Sequence, residues 1–187
     1  MLPTYKHGKQ TTPIDFADFD RAMKEGEFKS YTHKSFLAFL YWFGVRVSEA
    51  LERTKEDFEI NNEVLSVNAP AKKGGERDVP LEVDTDMPYV ELIIERWNKT
   101  KKGKRLWSFS TWTAQRIVKR ALGKKYYPHF LRLNRATEFL DDETTTIPQM
   151  KSWFGWKSAQ TISSYIGYSK RHVQAMRRRL KRQIEKN

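Results

Sequence analysis

The stretch 30-SYTHKSFLAFLYWFGVRVSEALER-53, with 57-DFEINNEVLSV-67 just behind it, decides the fold class of this chain. In the first stretch apolar residues recur at helical spacing, and Gly44 marks a break before a second helical piece. In the second the pattern changes to strand, turn and strand, with Asn61-Asn62 as turn residues that tolerate positive φ. A pair of helices therefore leads directly into a β-hairpin.

The rest of the chain is predicted to be mainly helical around that hairpin. Upstream, residues 15–26 favour a short helix that is acidic at its start and ends at Gly26. Downstream, the loop 71-AKKGGE-76 and the strand 77-RDVPLEV-83 complete a three-stranded antiparallel sheet. Further helices are expected over about 85–100, 111–122, 130–142, 146–154, 158–166 and 170–185. The predicted class is mostly α with one small antiparallel three-stranded sheet (α+β).

The length of 187 residues predicts one domain rather than two. We expect a loose lead-in over residues 1–14, a compact domain over 15–168 and a basic C-terminal helix or tail over 169–187. The tail holds eight Lys or Arg residues and one acid, Glu185. Its apolar residues Val173, Met176, Leu180 and Ile184 fall at helical spacing, so this helix would either pack on its own body or dock on a neighbour.

Composition narrows the classes of function. The chain has no cysteine, which excludes disulfides, thiolate zinc sites and a cysteine nucleophile, and its four histidines are too scattered to suggest a metal site. It has no apolar run long enough to span a membrane and no signal-peptide pattern, so we expect a cytoplasmic protein. The net charge of +12 predicts a polyanionic partner, with nucleic acid ahead of an anionic membrane surface.

Two candidate sites lie in the first half of the chain, each with two interpretations. Arg46 sits between apolar neighbours in 44-GVRVSEAL-51 and is either a buried ion pair with Glu49 or a guanidinium that points into a cleft. The second site, 72-KKGGER-77, is a glycine-bearing hairpin tip, which is either a solvated turn or a mobile arm that brings a lysine to a ligand.

Two more candidates lie in the second half. In 129-HFLRLNRAT-137, His129 and Arg132 share one helix face, either at the surface or as a phosphate-binding pair with a group that exchanges protons. In 153-WFGWKSAQTISSYI-166, Tyr165 follows Trp156 by nine residues and is either a core residue or a nucleophile.

Taken in order, the four motifs resemble the catalytic domain of the tyrosine recombinases, the phage-integrase family that includes Xer-type recombinases. GVRVSEAL is similar to the family's first-arginine box, AKKGGERDVPL to its β-hairpin box, HFLRLNRAT to its H-x-L-R-H-x-x-A-T box and FGWKSAQTISSYI to its L-G-H-x-S-x-x-T-T-x-x-Y box. The resemblance runs from about residue 15 to the end. It implies a site-specific recombinase or integrase of a virus or mobile element.

The resemblance also implies site residues. Arg46 and Arg132 would clamp the phosphate, and Tyr165 would be the nucleophile. Lys72 would be the catalytic lysine, with Lys73 as the alternative if the hairpin register slips by one. The remaining positions are His129, Trp156 and, behind Arg46, the supporting carboxylate Glu49. Further DNA contacts are expected from Lys73, Arg77, Arg135, Lys157, Arg177 and Arg178.

The chemistry that the resemblance implies fits these residue types. A tyrosine hydroxyl, with an ordinary pKa near 10, needs its proton withdrawn and the phosphate charge neutralised before it attacks. Two arginines supply the neutralisation, so no metal or other cofactor is expected. The resulting 3′-phosphotyrosine bond would keep the energy of the phosphodiester, so rejoining would need no ATP.

Three departures from the family pattern and two rival functions qualify this prediction. Leu133 stands at a second histidine, Gly75 at a hairpin lysine, and the lead-in is too short for the family's N-terminal core-binding domain, which we expect to be absent. The rivals are a type IB topoisomerase and a DNA-binding regulator of the same fold that has lost catalysis. The expected partners are double-stranded DNA in the nucleoid and further copies of the chain, as a tetramer on DNA.

Overall fold

The helices and strands follow the order predicted from the sequence. The computed structural model describes residues 14–71, Arg77 and residues 79–166, and the predicted helix 170–185 lies outside them. The helices are α1 (Phe16–Glu25), α2 (Tyr31–Phe43), α3 (Val47–Leu51), α4 (Val90–Lys99), α5 (Thr111–Leu122), α6 (Pro128–Asp141), α7 (Ile147–Phe154) and α8 (Gln160–Ile166), and the strands are β1 (Phe58–Asn61), β2 (Val64–Val67) and β3 (Leu81–Asp84). The predicted mostly helical class with a three-stranded antiparallel sheet is confirmed.

Helix α2 forms the centre of the fold because it is apolar on every side. All nine residues from Ser35 to Phe43 are buried, and α2 packs against α3, α4, α5, α6 and β3. A helix buried all round is typical of the middle of a core. Five large rings pack together around it, and we call them the α2 core: Phe36, Phe39, Phe43, Phe58 and Trp107.

The sheet has the order β1-β2-β3, antiparallel throughout. Phe58 pairs with Val67 and Asn61 with Val64, and β2 continues the ladder with Val67 opposite Leu81. The predicted turn at Asn61-Asn62 is wrong by one residue: Asn62 and Glu63 carry the positive φ angles, of 48° and 64°, because Asn61 still pairs in β1.

Two other predicted boundaries also move. Strand β3 begins at Leu81 rather than at Arg77, since Pro80 has no N–H with which to join a ladder. Helix α4 begins at Val90 rather than near residue 85, because a turn closes from Met87 N–H to the Asp84 carbonyl and Pro88 disfavours helical backbone in the residue before it.

The first described residue belongs to the folded body rather than to a loose lead-in. Ile14 is buried, its N–H donates to Asn134 Oδ1 at 2.7 Å, and its carbonyl accepts from Asn134 Nδ2. The predicted lead-in 1–14 therefore ends at least one residue earlier. Among the helices that the structure describes, none is both long enough and apolar enough to cross a bilayer.

The last part of the described chain packs on α6 and forms a second, smaller core. Helix α6 begins at Pro128, where a missing N–H costs nothing, and α7 begins with a capping box between Thr146 and Gln149. Helix α7 ends at Gly155, which adopts the left-handed conformation with φ 61°. The second core includes Leu133, Ala136, Leu140, Met150, Phe154, Trp156, Ile162 and Tyr165.

Candidate active site

Arg132 lies inside the protein at the point where two helices end. It is 1% exposed, and its Nη1 donates to the Gly44 carbonyl at 3.0 Å while its Nη2 donates to the Phe154 carbonyl at 2.7 Å. Gly44 is the C-cap of α2 and Phe154 is the last residue of α7, so both carbonyls lack partners within their own helices. The negative ends of two helices therefore hold the guanidinium in place.

Three aromatic rings stack one on the next, and the first two lie beside the Arg132 guanidinium. We call them the aromatic stack: Phe154, Trp156 and Tyr165. Phe154 and Trp156 stack at 4.6 Å with an interplanar angle of 20°, and Trp156 and Tyr165 stack at 5.0 Å with an angle of 28°. The Arg132 carbon Cζ lies 5.0 Å from the Phe154 centroid and 5.8 Å from that of Trp156. The predicted nucleophile and the predicted clamp thus belong to one packed cluster.

Arg46 approaches the same place from the junction between α2 and α3. Its Nη1 donates to Glu49 Oε1 at 2.7 Å, and its backbone N–H donates to Glu49 Oε2 at 3.1 Å. Glu49 is fully buried, whereas the Arg46 side chain is 28% exposed. The ion pair of the first interpretation is therefore present, and the Arg46 side chain stays partly exposed to solvent. That its guanidinium points into a cleft stays a prediction.

Arg77 is the third arginine of the cluster. Its side chain is 1% exposed, and Nη2 lies 3.6 Å from Glu49 Oε2. Its Nε donates to the Trp153 carbonyl at 2.8 Å, and its Nη1 donates to the Ala69 carbonyl. Arg77 therefore ties the base of the hairpin to the end of α7.

The charges of the cluster shift one another's pKa values. Burial lowers the pKa of Arg132 to about 10, and the positive charge of Arg46 acts in the same direction, only partly opposed by Glu49 and Tyr165. Burial raises the pKa of Glu49, but the hydrogen bonds from Arg46 and the charge of Arg77 outweigh it and leave that pKa below its ordinary value. The site therefore carries more positive than negative charge, which suits an anionic ligand.

His129 stands at the start of α6, one turn before Arg132. The residue is exposed. Desolvation, followed by the positive charges of Arg132 and Arg46, holds the pKa of His129 below its ordinary value. Its imidazole is therefore mainly neutral at pH 7 and can accept a proton there.

The structure brings six of the predicted site residues together: Arg46, Glu49, Arg132, Trp156, Tyr165 and, through electrostatics, His129. Lys157 follows Trp156 directly and is exposed, as a DNA contact requires. The predicted lysines Lys72 and Lys73 and the tail residues Arg177 and Arg178 lie outside the described residues.

Two arginines that were predicted to contact DNA have enclosed side chains. Arg77 is buried as described above. Arg135 is packed against the rings of Trp42, Phe139 and Trp153, and its Nη1 donates to Glu138 Oε2 at 3.0 Å. Each of these two guanidinium groups faces a carboxylate, Glu49 or Glu138, whereas Arg132 has no ion pair among the described residues. Arg77 and Arg135 therefore have a structural role in the fold, and their DNA contacts stay predictions.

The arrangement has the chemistry of a site for a tetrahedral oxyanion. Arginine carries five N–H donors, and the two carbonyls account for one on each terminal nitrogen of Arg132, so others remain for a phosphate oxygen. In the part of the chain that the structure describes, the ion pairs do not include Arg132 and no group of carboxylates and histidines could hold a metal ion.

Sequence reasoning missed the backbone half of this site. The carbonyls that orient Arg132 belong to helix ends, and the signal for them was the pair of glycines, Gly44 and Gly155, that stop α2 and α7. It also missed a basic segment of the chain. From Arg96 to Thr137 the chain has thirteen Lys or Arg residues and no acid, and in that segment Trp112 is 63% exposed with Arg116 stacked 4.4 Å from its ring centroid.

Comparison with solved structures places this fold among site-specific recombinases. XerH bound to its difH substrate, in a pre-cleavage complex, aligns with a TM-score of 0.67 at 16% identity over 84% of this chain and 50% of XerH. XerA recombinase aligns with a TM-score of 0.66 at 20% identity over 93% of this chain and 65% of XerA.

A third match is the Tn1549 transposon integrase in complex with transposon right end DNA, with a TM-score of 0.63 at 15% identity over 94% of this chain and 68% of the integrase chain. The chain thus spans about half the length of XerH and just under two thirds of XerA.

A search of curated protein sequences found no significant match. The profile described as the phage integrase family matches residues 14–172, well over half of the sequence, with all four motifs inside the matched range. By that match, with the fold in agreement, the chain belongs to the phage integrase family.

Proposed function

We propose that this protein is a site-specific DNA recombinase or integrase that cuts and rejoins strands through a covalent 3′-phosphotyrosine intermediate on Tyr165. The observation that carries the proposal is Arg132. It is a buried guanidinium held by two carbonyls and not by a carboxylate among the described residues, and the predicted nucleophile lies in the same aromatic stack. A buried cation without a full counter-charge is costly to the fold, and a bound phosphate would relieve that cost.

In the proposed cleavage step, the Tyr165 oxygen attacks the scissile phosphorus and the bond from phosphorus to the 5′-oxygen breaks. Arg46 and Arg132 bind the non-bridging oxygens and stabilise the charge of the pentacoordinate transition state. His129, mainly neutral at pH 7, assists removal of the tyrosine proton, and Lys72 protonates the leaving 5′-oxygen. A second 5′-hydroxyl then attacks the phosphotyrosine and releases Tyr165. The bond energy is conserved, so the sequence of steps proceeds without ATP.

The proposed partner is double-stranded DNA. The net charge of +12 and the acid-free segment from Arg96 to Thr137 support it, since Lys and Arg neutralise backbone phosphates. XerH and the Tn1549 integrase, which share the fold, were solved with DNA. We extend the proposal to a homotetramer on DNA within the nucleoid, because recombination of this kind joins two duplexes and exchanges four strands.

The proposal is tested by a search for the covalent adduct. A library of nicked duplexes with randomised sequence is incubated with the protein, and DNA that stays attached after denaturation is recovered and sequenced. We expect the wild type to capture a defined site and Tyr165→Phe to capture none, since phenylalanine lacks the attacking oxygen. Tyr168→Phe is the matched control and should retain capture.

Three outcomes would overturn the proposal in different ways. Capture by Tyr165→Phe but not by Tyr168→Phe would move the nucleophile, and loss of capture in EDTA would refute the metal-free mechanism. Failure of the wild type to capture any sequence would refute the activity itself.

A further inference from the structure

Arg77 connects three parts of the site at once. Its Nε bonds the Trp153 carbonyl at the end of α7, its Nη1 bonds the Ala69 carbonyl just after β2, and its Nη2 faces Glu49 behind Arg46. Because two carbonyls already accept from its guanidinium and Glu49 faces the remaining terminal nitrogen, we take Arg77 to act through these neighbours.

The ion pair between Arg77 and Glu49 lacks a hydrogen bond. The 3.6 Å between Nη2 and Glu49 Oε2 is too long for a hydrogen bond, and Nη2 has no hydrogen-bond acceptor among the described residues. A buried N–H group without an acceptor costs free energy, so a small movement of the carboxylate toward Arg77 would be favourable.

The same carboxylate holds Arg46 tightly, at 2.7 Å from Nη1. Any phosphate that Arg46 is to bind must therefore compete with Glu49 for the guanidinium. Both arginines therefore face one buried carboxylate, Arg46 within hydrogen-bond distance and Arg77 just beyond it.

Resting on the proposed function, we propose that Arg77 is a positioning residue that accepts the Glu49 carboxylate when Arg46 turns to the phosphate. The Glu49 carboxylate then has a buried cation beside it at every stage. The free energy needed to move Arg46 from the carboxylate to the phosphate is lower as a result. Without the charge of Arg77, the Glu49 carboxylate would lose one of the cations that act on it and would hold Arg46 more strongly.

A double-mutant cycle tests this with two probes, inorganic phosphate and the captured DNA site. Phosphate binding is followed by NMR at the Arg46 Nε–H, and adduct formation by single-turnover rates. We expect Arg77→Gln to weaken phosphate binding and slow the adduct about tenfold, but to change either by less than about twofold in a Glu49→Gln background. Arg77→Lys, which keeps the charge, should restore part of the loss.

Arg135→Gln is the matched control, because Arg135 is also a largely enclosed arginine with one unpartnered buried nitrogen, Nε, but is paired with Glu138 instead of Glu49. Its effects should be equal with and without Glu49→Gln. Thermal unfolding of every variant shows whether it is folded, and Arg77→Lys carries the test if Arg77→Gln is not.

Three results would overturn the inference: equal losses from Arg77→Gln in both backgrounds, no phosphate binding by the wild type, or a fall of about one in the salt dependence of DNA affinity, which marks a lost phosphate contact. A wild type that binds phosphate with the expected coupling but forms no adduct would instead refute the proposed function and leave the role of Arg77 standing.

Discussion

The α2 core and the aromatic stack are both built from rings, but the rings meet differently. In the α2 core they are tilted or edge-on, as with Phe36 and Trp107 at 65° and Phe39 and Trp107 at 39°. In the aromatic stack they are near parallel, at 20° and 28°, with Arg132 beside them. Tilted rings fill space against one another, whereas a parallel stack leaves a ring face for a cation.

We therefore expect the α2 core to determine the stability of the fold and the second core to serve the proposed activity. The α2 core contains no charged side chain, so its packing contributes to the stability of the fold alone. The second core packs beside the buried guanidinium of Arg132. A desolvated cation lowers the stability of the fold, and a bound anion would compensate for that loss. Substitutions in the two regions should therefore affect different measurements.

The largest expected effect is that of Phe39→Ala in the α2 core. Phe39 is fully buried and contacts Phe43, Phe58 and Trp107, so the cavity should lower the free energy of unfolding by about 3–5 kcal/mol. Urea denaturation measures it. The adduct rate per folded molecule should stay within about twofold of wild type, and a large fall in that rate would break the separation between the regions.

Next comes Arg132→Lys in the second core. An ammonium group cannot reach the Gly44 and Phe154 carbonyls and also present a planar fork to the phosphate. The single-turnover rate of adduct formation should fall by about 10²–10³-fold, as when an oxyanion donor is lost. A variant that unfolds near the wild-type temperature and still cleaves at the wild-type rate would contradict the role given to Arg132.

The smallest effect concerns His129 and pH. Its pKa in the folded protein is held below the ordinary 6.5, by desolvation first and then by Arg132 and Arg46. The unfolded chain therefore binds the proton more readily, and the protein loses stability as pH falls from above 6.5 toward the folded pKa. His129→Gln should remove that part of the slope, less than about 1 kcal/mol for an exposed residue, in urea titrations from pH 5 to 8.

His33 contributes a slope of the same sign, because desolvation and the charges of Lys29 and Arg120 lower its pKa too. The difference between wild type and His129→Gln cancels that background. Identical slopes in the two proteins would contradict the electrostatic link between His129 and the two arginines.

Much of the fold could be predicted because its signals are local. The apolar run of α2, the change of period at β1 and the stop at Gly44 each depend on neighbours in sequence, and each agrees with the structure. The errors, at the β1–β2 turn, β3 and α4, lie where a ladder bond or a proline decides a boundary by one to five residues.

The sequence offered candidate side chains for the site but not their geometry. A charged residue in sequence shows what it carries but not what surrounds it, so Arg77 and Arg135 were indistinguishable from surface cations. The enclosure of Arg77 depends on Glu49 and Trp153, and that of Arg135 on Trp42 and Trp153, all of which are distant in sequence. The roles of Tyr165 and the other site residues remain predictions for the adduct assay.

Gly44 sets a limit on how this protein can be altered. Its φ of 57° and its crowding, with an added Cβ 2.8 Å from Arg135 Cβ, leave no room for another residue. Because its carbonyl also orients Arg132, a substitution there would misplace the guanidinium as well as strain the chain. Any programme that varies this sequence should therefore keep residue 44 invariant.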